Sequence, residues 1–279
     1  MSMSFKKNKT GVHTGIDDDL PPGVSTEMKR MEKESGITHL PNRYAINDSS
    51  AGRVLICLEA PNISVRVETG LTISASAARR SSSGTIYLDG AAHCEPFMDN
   101  EKQIYNFDHH EGCIRPFTLS TCEQVLVMIL KGMDLRDRKW SVFANEPDLD
   151  TILAIWLILN HLRIRNKDSE RLRFLYAVVR LEGIIDSHGL EITEFSGLPP
   201  RLYKKAMEVI DYLRLEEIDL KKNATWEKKD NFEYTALILQ KIDSIIYRSE
   251  DFLDFTELKE LARVEPVSYT HLRAHETKT

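Results

Sequence analysis

The chain has 279 residues, 42% of them hydrophobic and 29% charged, which suits one large globular domain or two ordinary ones. Its formal net charge of −6 excludes a global basic field that would draw it to nucleic acid, although a local basic strip stays compatible with it. No apolar run reaches the roughly 18 residues of a membrane span, so no membrane partner is expected.

The first 15 residues, MSMSFKKNKTGVHTG, carry positive charge with no apolar stretch behind them, so they do not read as a secretory signal. Cys57, Cys94, Cys113 and Cys122 show no C-x-x-C spacing, and reduced thiols in a cytoplasmic protein are the expectation. Residues 1–50 are polar and read as a loose arm with one short helix. From Arg53 the character changes. Val54–Leu58 has the composition of a buried strand, and Ile63–Val67 alternates at period two. A polar loop over Ser74–Gly84 leads into a strand at Thr85–Leu88 that stops on Asp89-Gly90. Ile104–Phe107 is a third short apolar run, and it stops on Asp108-His109-His110. Thr118–Lys131 predicts a helix capped by Ser120 or Thr121, with Glu123 in its first turn. Trp140–Ala144 is a strand that runs through Asn145-Glu146-Pro147 into Asp148-Leu149-Asp150 and an apolar helix over Thr151–Leu162. Helical patterns follow at Glu170–Ile185, Arg201–Leu215, Asn231–Arg248 and Asp251–Val264.

Strands therefore crowd the first 145 residues and helices the rest, which predicts an α/β fold: a mainly parallel sheet flanked by helices, with a C-terminal helical region. The corresponding division is an α/β domain over 51–220 and a truncated helical region over 221–265, with the charged stretch Lys221–Asp230 as the hinge.

Three strand-to-acid junctions, at Leu88-Asp89, Phe107-Asp108 and Ala144…Asp148-Leu149-Asp150, share one prospect. A parallel sheet lines such junctions along one edge, where open α/β folds keep their ligands. Carboxylates gathered there with imidazoles repel one another unless a cation neutralises them. Two divalent ions would do so and would activate a water for attack on phosphorus. The combination of hard oxygen and imidazole nitrogen favours Mn²⁺, with Mg²⁺ as the alternative.

The Asp108-His109-His110 triplet, taken with the Asn-Glu-Pro-Asp-Leu-Asp-Thr turn, resembles the DHH phosphoesterase superfamily over roughly Thr85–Gly189. The resemblance implies a metal-dependent phosphoesterase that hydrolyses a phosphodiester or phosphoanhydride at a site of two Mn²⁺ (or Mg²⁺) ions. Its substrate would be a small phosphorylated molecule or nucleotide, with short single-stranded nucleic acid a further candidate. Carried over residue by residue, it makes His109 a metal ligand, sets His110 against the substrate phosphate, and has Asp89 bridge the ions. Asp148, Asp150 and Asp186 complete the shells, and Asp108 is a ligand or the partner that fixes a neighbouring imidazole.

The sequence departs from that pattern in two ways. The Asp-x-Asp motif follows the DHH triplet instead of preceding it, and Ala144 stands where the family has a histidine. A non-catalytic nucleotide- or partner-binding member of the same fold is therefore the alternative. Plainer readings exist for single residues: Asp148 and Asp150 as helix caps, Asp89-Gly90 as a turn, and His188-Gly189 as a helix end. His161 reads as core or cap, His93 as a neighbour of the site, and Arg79, Arg80 and Arg115 as candidate clamps for an anion. Pro266–Thr277, PVSYTHLRAHET, resembles the in-frame translation of a sequencing adapter. That resemblance sets 266–279 aside from the fold and implies an environmental microbial source with a lost natural C-terminus.

Overall fold

The computed structural model describes residues 42–49, 52–165, 171–189 and 196–247. Most of the N-terminal arm, the helix expected over 251–264 and the adapter-like tail lie outside them. The strands in chain order are β1 Tyr44–Ser49, β2 Gly52–Cys57, β3 Ala60–Val67, β4 Ile73–Ser74, β5 Thr85–Leu88, β6 Ala92–His93, β7 Phe97–Asp99, β8 Ile104–Phe107 and β9 Trp140–Ala144. The helices are α1 Ala75–Ala78, α2 Thr121–Leu130, α3 Leu149–Leu159, α4 His161–Arg165, α5 Arg171–His188, α6 Pro200–Lys222 and α7 Asn231–Tyr247.

Seven strands form one sheet in the order β1-β2-β3-β9-β5-β8-β7. Its four middle strands, β3, β9, β5 and β8, are parallel to one another, whereas β1, β2 and β7 pair antiparallel at the margins. The fold is α/β, and the sheet is mixed with a parallel centre. The sequence could not show this, because β1 lies within the stretch read as polar arm and β7 is only three residues long.

Side-chain alternation on the middle strands assigns the two faces. Ile86 and Leu88 of β5 join the main core with residues from α2 to α7, while Tyr87 belongs to a smaller cluster with Ala78, Ala91 and Cys94. Among the described residues the long helices thus pile onto one face, and the short segment around α1, β4 and β6 covers the other. Burial on both sides explains why β5 and β8 read as continuous runs, with every residue inaccessible.

At the centre of the helical face lies α3, all eleven of whose residues are buried. A helix apolar all round needs neighbours all round, and α2, α4, α5, α7 and β3 supply them. Across its end runs a polar lock. The Asp243 carboxylate of α7 accepts hydrogen bonds from Arg43 Nε (2.9 Å) and Nη2 (2.7 Å), Tyr44 Oη (2.9 Å) and Trp156 Nε1 (2.8 Å). These donors fasten the start of β1 and helix α3 to α7, so α7 packs directly onto the sheet and α3. The stretch Lys221–Asp230, read as a hinge, is the end of α6 followed by a connector with one 3₁₀ turn at Trp226–Lys228.

Candidate metal centre

Strand register brings the acids together. Leu88 at the end of β5 pairs with Phe107 of β8 on one side and Ala144 of β9 on the other, and Ala144 pairs in turn with Val67. Four parallel strands therefore end level, and the residues that follow them emerge along one edge. Asp89 leaves β5 with φ +49°, a left-handed turn that aspartate tolerates better than most residues. Its amide hydrogen-bonds Phe107 O at 3.0 Å. Its carboxylate, 7% exposed, is held by Thr121 Oγ1 and Thr151 Oγ1, each donating at 2.9 Å to a different oxygen.

His109 is the meeting point. It is fully buried, and neither ring nitrogen has a hydrogen-bond partner among the described residues. Yet Nε2 lies 2.8 Å from Asp186 Oδ2, 3.5 Å from Asp89 Oδ1 and 3.9 Å from Asp150 Oδ2. The Asp186 oxygen is close but off the line of a ring N–H. Three carboxylates gathered around one unsatisfied imidazole nitrogen is an arrangement that a cation would satisfy and hydrogen bonding does not. Two overlapping groups of donor atoms, Asp89/His109/His110 and His109/Asp150/Asp186, each lie within 4.8 Å of one another and could hold a metal ion. Since one imidazole nitrogen offers one lone pair, His109 can serve only one of the two groups through Nε2.

The electrostatics carry the same imprint. Burial would push Asp89 up, but His109 and His110 hold it well below the usual carboxylate range. Burial pulls His109 down, and the Asp186 and Asp89 carboxylates outweigh this and push it up to about 10. Asp150 is pushed up to about 6 by burial and the charge of Asp89. Burial, followed by Asp89 and Asp150, raises Asp148 well above its ordinary value. Asp186 is lowered: burial opposes this, but His109 and Arg115 prevail. The carboxylates around the imidazoles thus favour positive charge at this spot, the kind of charge that a divalent cation supplies.

The other expected site residues take distinct places. His110 Nε2 sits 2.9 Å from Asp89 Oδ1 while 40% of its side chain is exposed, so the ring stands at the solvent edge of the cluster with Nε2 turned inward. Asp108 belongs to neither donor group. Its Oδ1 accepts the amide N–H of His109 (2.7 Å) and His110 (2.9 Å), which shapes the turn carrying both imidazoles, and burial raises its pKa. Asp148 caps α3 through Thr151 N at 2.9 Å and also stays outside both groups. Asp150 caps a helix, but not its own. Its two oxygens accept Thr121 N (2.9 Å) and Cys122 N (3.0 Å) at the start of α2, where a carboxylate meets the helix dipole favourably. Asp186 lies in the last turn of α5 and is gripped by Arg115 Nη2 at 3.1 and 3.0 Å.

Three partners escaped the sequence reading. Local pattern marks Thr151 only as a helix start and Thr121 only as a cap, although both hydroxyls bind Asp89. The salt bridge of Glu182 with Arg214 joins α5 to α6 beside the centre, and it left no local pattern to find. His93 is exposed and pairs with Glu111 at 3.6 Å, and buried His161 hydrogen-bonds Ile158 O through Nδ1 at 2.8 Å. Next to the centre is a cavity of about 220 Å³ whose lining includes Asp148, Asp186, Arg214, Lys221 and Trp226. Among the described residues no helix is long and apolar enough to cross a membrane.

No family model, curated protein or solved structure matches the chain.

Proposed function

We propose that this chain is a metal-dependent phosphoesterase of the DHH type, hydrolysing a phosphodiester or phosphoanhydride in a small phosphorylated or nucleotide substrate. The observation that carries the reading is His109, buried with both ring nitrogens unsatisfied and three carboxylates around Nε2. Asp186, Asp150 and His109 would hold one ion, and Asp89 with His110 would contribute to a second. Imidazole in the donor set favours Mn²⁺ over Mg²⁺. Divalent ions at such a site neutralise the clustered carboxylates and lower the pKa of a bound water toward neutrality. The chain's own residues do the positioning. Thr121 and Thr151 aim Asp89, the α2 amides orient Asp150, Arg115 steadies Asp186, and half-exposed His110 sets the solvent-facing edge of the Asp89 side of the site.

A second reading has specific support. Both Asp150 oxygens already serve backbone amides, and Ala144 stands where the resemblance expects a histidine, which leaves a thin shell. A protein that binds metal and nucleotide without turnover fits those two facts.

One experiment separates the readings. Mn²⁺ at about a hundred times its Kd stabilises a folded protein by about 2.7 kcal/mol, or roughly 5–10 °C in Tm for a chain of this size. We expect that rise in the wild type, its loss in His109→Ala with unchanged circular dichroism, and Mn²⁺-dependent phosphodiester cleavage that disappears with it. Binding without cleavage favours the second reading. Full turnover in His109→Ala, or in metal-free protein, removes the metal centre altogether.

A further inference from the structure

Seven large hydrophobic side chains stand exposed among the described residues, and three of them, Ile114, Phe117 and Leu119, fall within six positions. Phe117 is 88% exposed and Ile114 68%. Isolated exposed hydrophobics need no explanation, but a cluster beside a reactive centre does.

The turn that carries them is not loose. It begins four residues after His110 and folds as a 3₁₀ turn, with Phe117 N bonded to Ile114 O at 2.8 Å and Thr118 N to Arg115 O at 3.2 Å. Arg115 hooks it to the centre through both oxygens of Asp186, at 3.1 and 3.0 Å. At its other end Gln124 Nε2 donates to Leu119 O at 2.7 Å and to Asp108 O at 2.6 Å. The backbone is thus pinned at both ends to residues of the centre while its apolar side chains are left in water. Arg115, with 41% of its side chain exposed, reaches the Asp186 carboxylate from the same turn that carries those side chains.

We propose that the Ile114–Leu119 turn is the substrate-recognition element of the centre, taking a phosphate ester whose alcohol carries an aromatic ring. The ring lies on Phe117 and Ile114, and the phosphoryl group lies against Arg115 and His110. The assignment rests on the phosphoesterase reading for the identity of the anionic group. The Arg115–Asp186 pair joins the turn to the centre, and its cation sets the polarity of the ligand: anion inward, ring outward. Nucleoside and aryl esters share that chemistry. An anionic bilayer or a long polyanion is disfavoured by the chain's formal charge of −6.

The test compares equilibrium binding of adenosine monophosphate, phenyl phosphate and glycerol phosphate to the full chain with Mn²⁺, in the wild type, Phe117→Ala and Phe117→Trp. A base–aromatic stack predicts that the ring esters bind at least about tenfold tighter than glycerol phosphate in the wild type. That ratio falls toward one in Phe117→Ala and is kept in Phe117→Trp. If only adenosine monophosphate gains, the ring is a nucleobase, and if phenyl phosphate gains equally, any aryl group serves. Equal affinity for ring and ringless esters overturns the proposal. So does Phe117-dependent capture of phosphatidylserine vesicles without ring preference, which would make the turn a membrane contact. The two readings fail separately. A Phe117-dependent ring preference without hydrolysis leaves the turn's role standing, whereas hydrolysis without ring preference leaves only the phosphoesterase.

Discussion

Replacing Gly183 by alanine puts a methyl group where Glu123 already sits. A Cβ built there would lie 2.4 Å from Glu123 Oε2, 2.5 Å from its Cδ and 2.7 Å from its Cγ, so the glutamate side chain must move. It has little freedom to do so. Glu123 is only 8% exposed, its Oε2 accepts Ser120 N at 3.3 Å as half of the α2 capping box, and its Oε1 accepts Arg180 Nη1 at 2.6 Å. Alanine improves helix propensity in α5 by about 1 kcal/mol. Against this, losing the cap costs about 1 kcal/mol, overpacking about 1–3 kcal/mol, and the half-exposed Arg180 pair at most about 1 kcal/mol. The net is a destabilisation of about 1–4 kcal/mol, read as a lower midpoint in urea at unchanged slope. The effect also reaches the centre, since the same end of α2 presents Thr121 and Cys122 to Asp89 and Asp150. If the centre holds Mn²⁺ as proposed, its affinity for the ion falls along with stability. The decisive check is the double variant Gly183→Ala with Glu123→Ala, which removes the clash. It should be more stable than Gly183→Ala alone. Strict additivity of the two changes, or a Gly183→Ala protein as stable as wild type, refutes the argument.

Two further substitutions probe buried charge. Asp243→Ala leaves Trp156 Nε1 and Tyr44 Oη without their acceptor and Arg43 with only Asn160 and half-exposed Glu59, and should cost about 2–4 kcal/mol in urea unfolding. A loss below about 1 kcal/mol would mean that water replaces the carboxylate. Lys241 and Glu216 form a salt bridge with both side chains at most 2% exposed. Lys241→Met alone should destabilise by about 3–5 kcal/mol, while Lys241→Met with Glu216→Leu should recover most of it, because the cost lies in the uncompensated charge and not in the missing pair. A double variant no more stable than the single one would contradict this.

Local pattern set most of the elements. Thr85–Leu88, Ile104–Phe107 and Trp140–Ala144 are bounded as strands by composition alone, and Ser120 with Glu123 writes the start of α2 into the sequence, because strand periodicity and capping are near-neighbour effects. The suspicion that Asp89, Asp108 and the Asp148–Asp150 turn share an edge was legible for the same reason. Division of labour among those acids was not. Whether a carboxylate beside an apolar helix becomes a cap, a donor to the centre or the clasp of a different helix depends on which amide or imidazole lies within about 3 Å. Contacts of that kind come from segments tens of residues away: Asp150 meets α2, Asp186 meets Arg115 and His109, and Thr151 meets Asp89. Strand order and register create those distances. They follow from burying α3 on every side, a requirement that no single stretch of the chain carries.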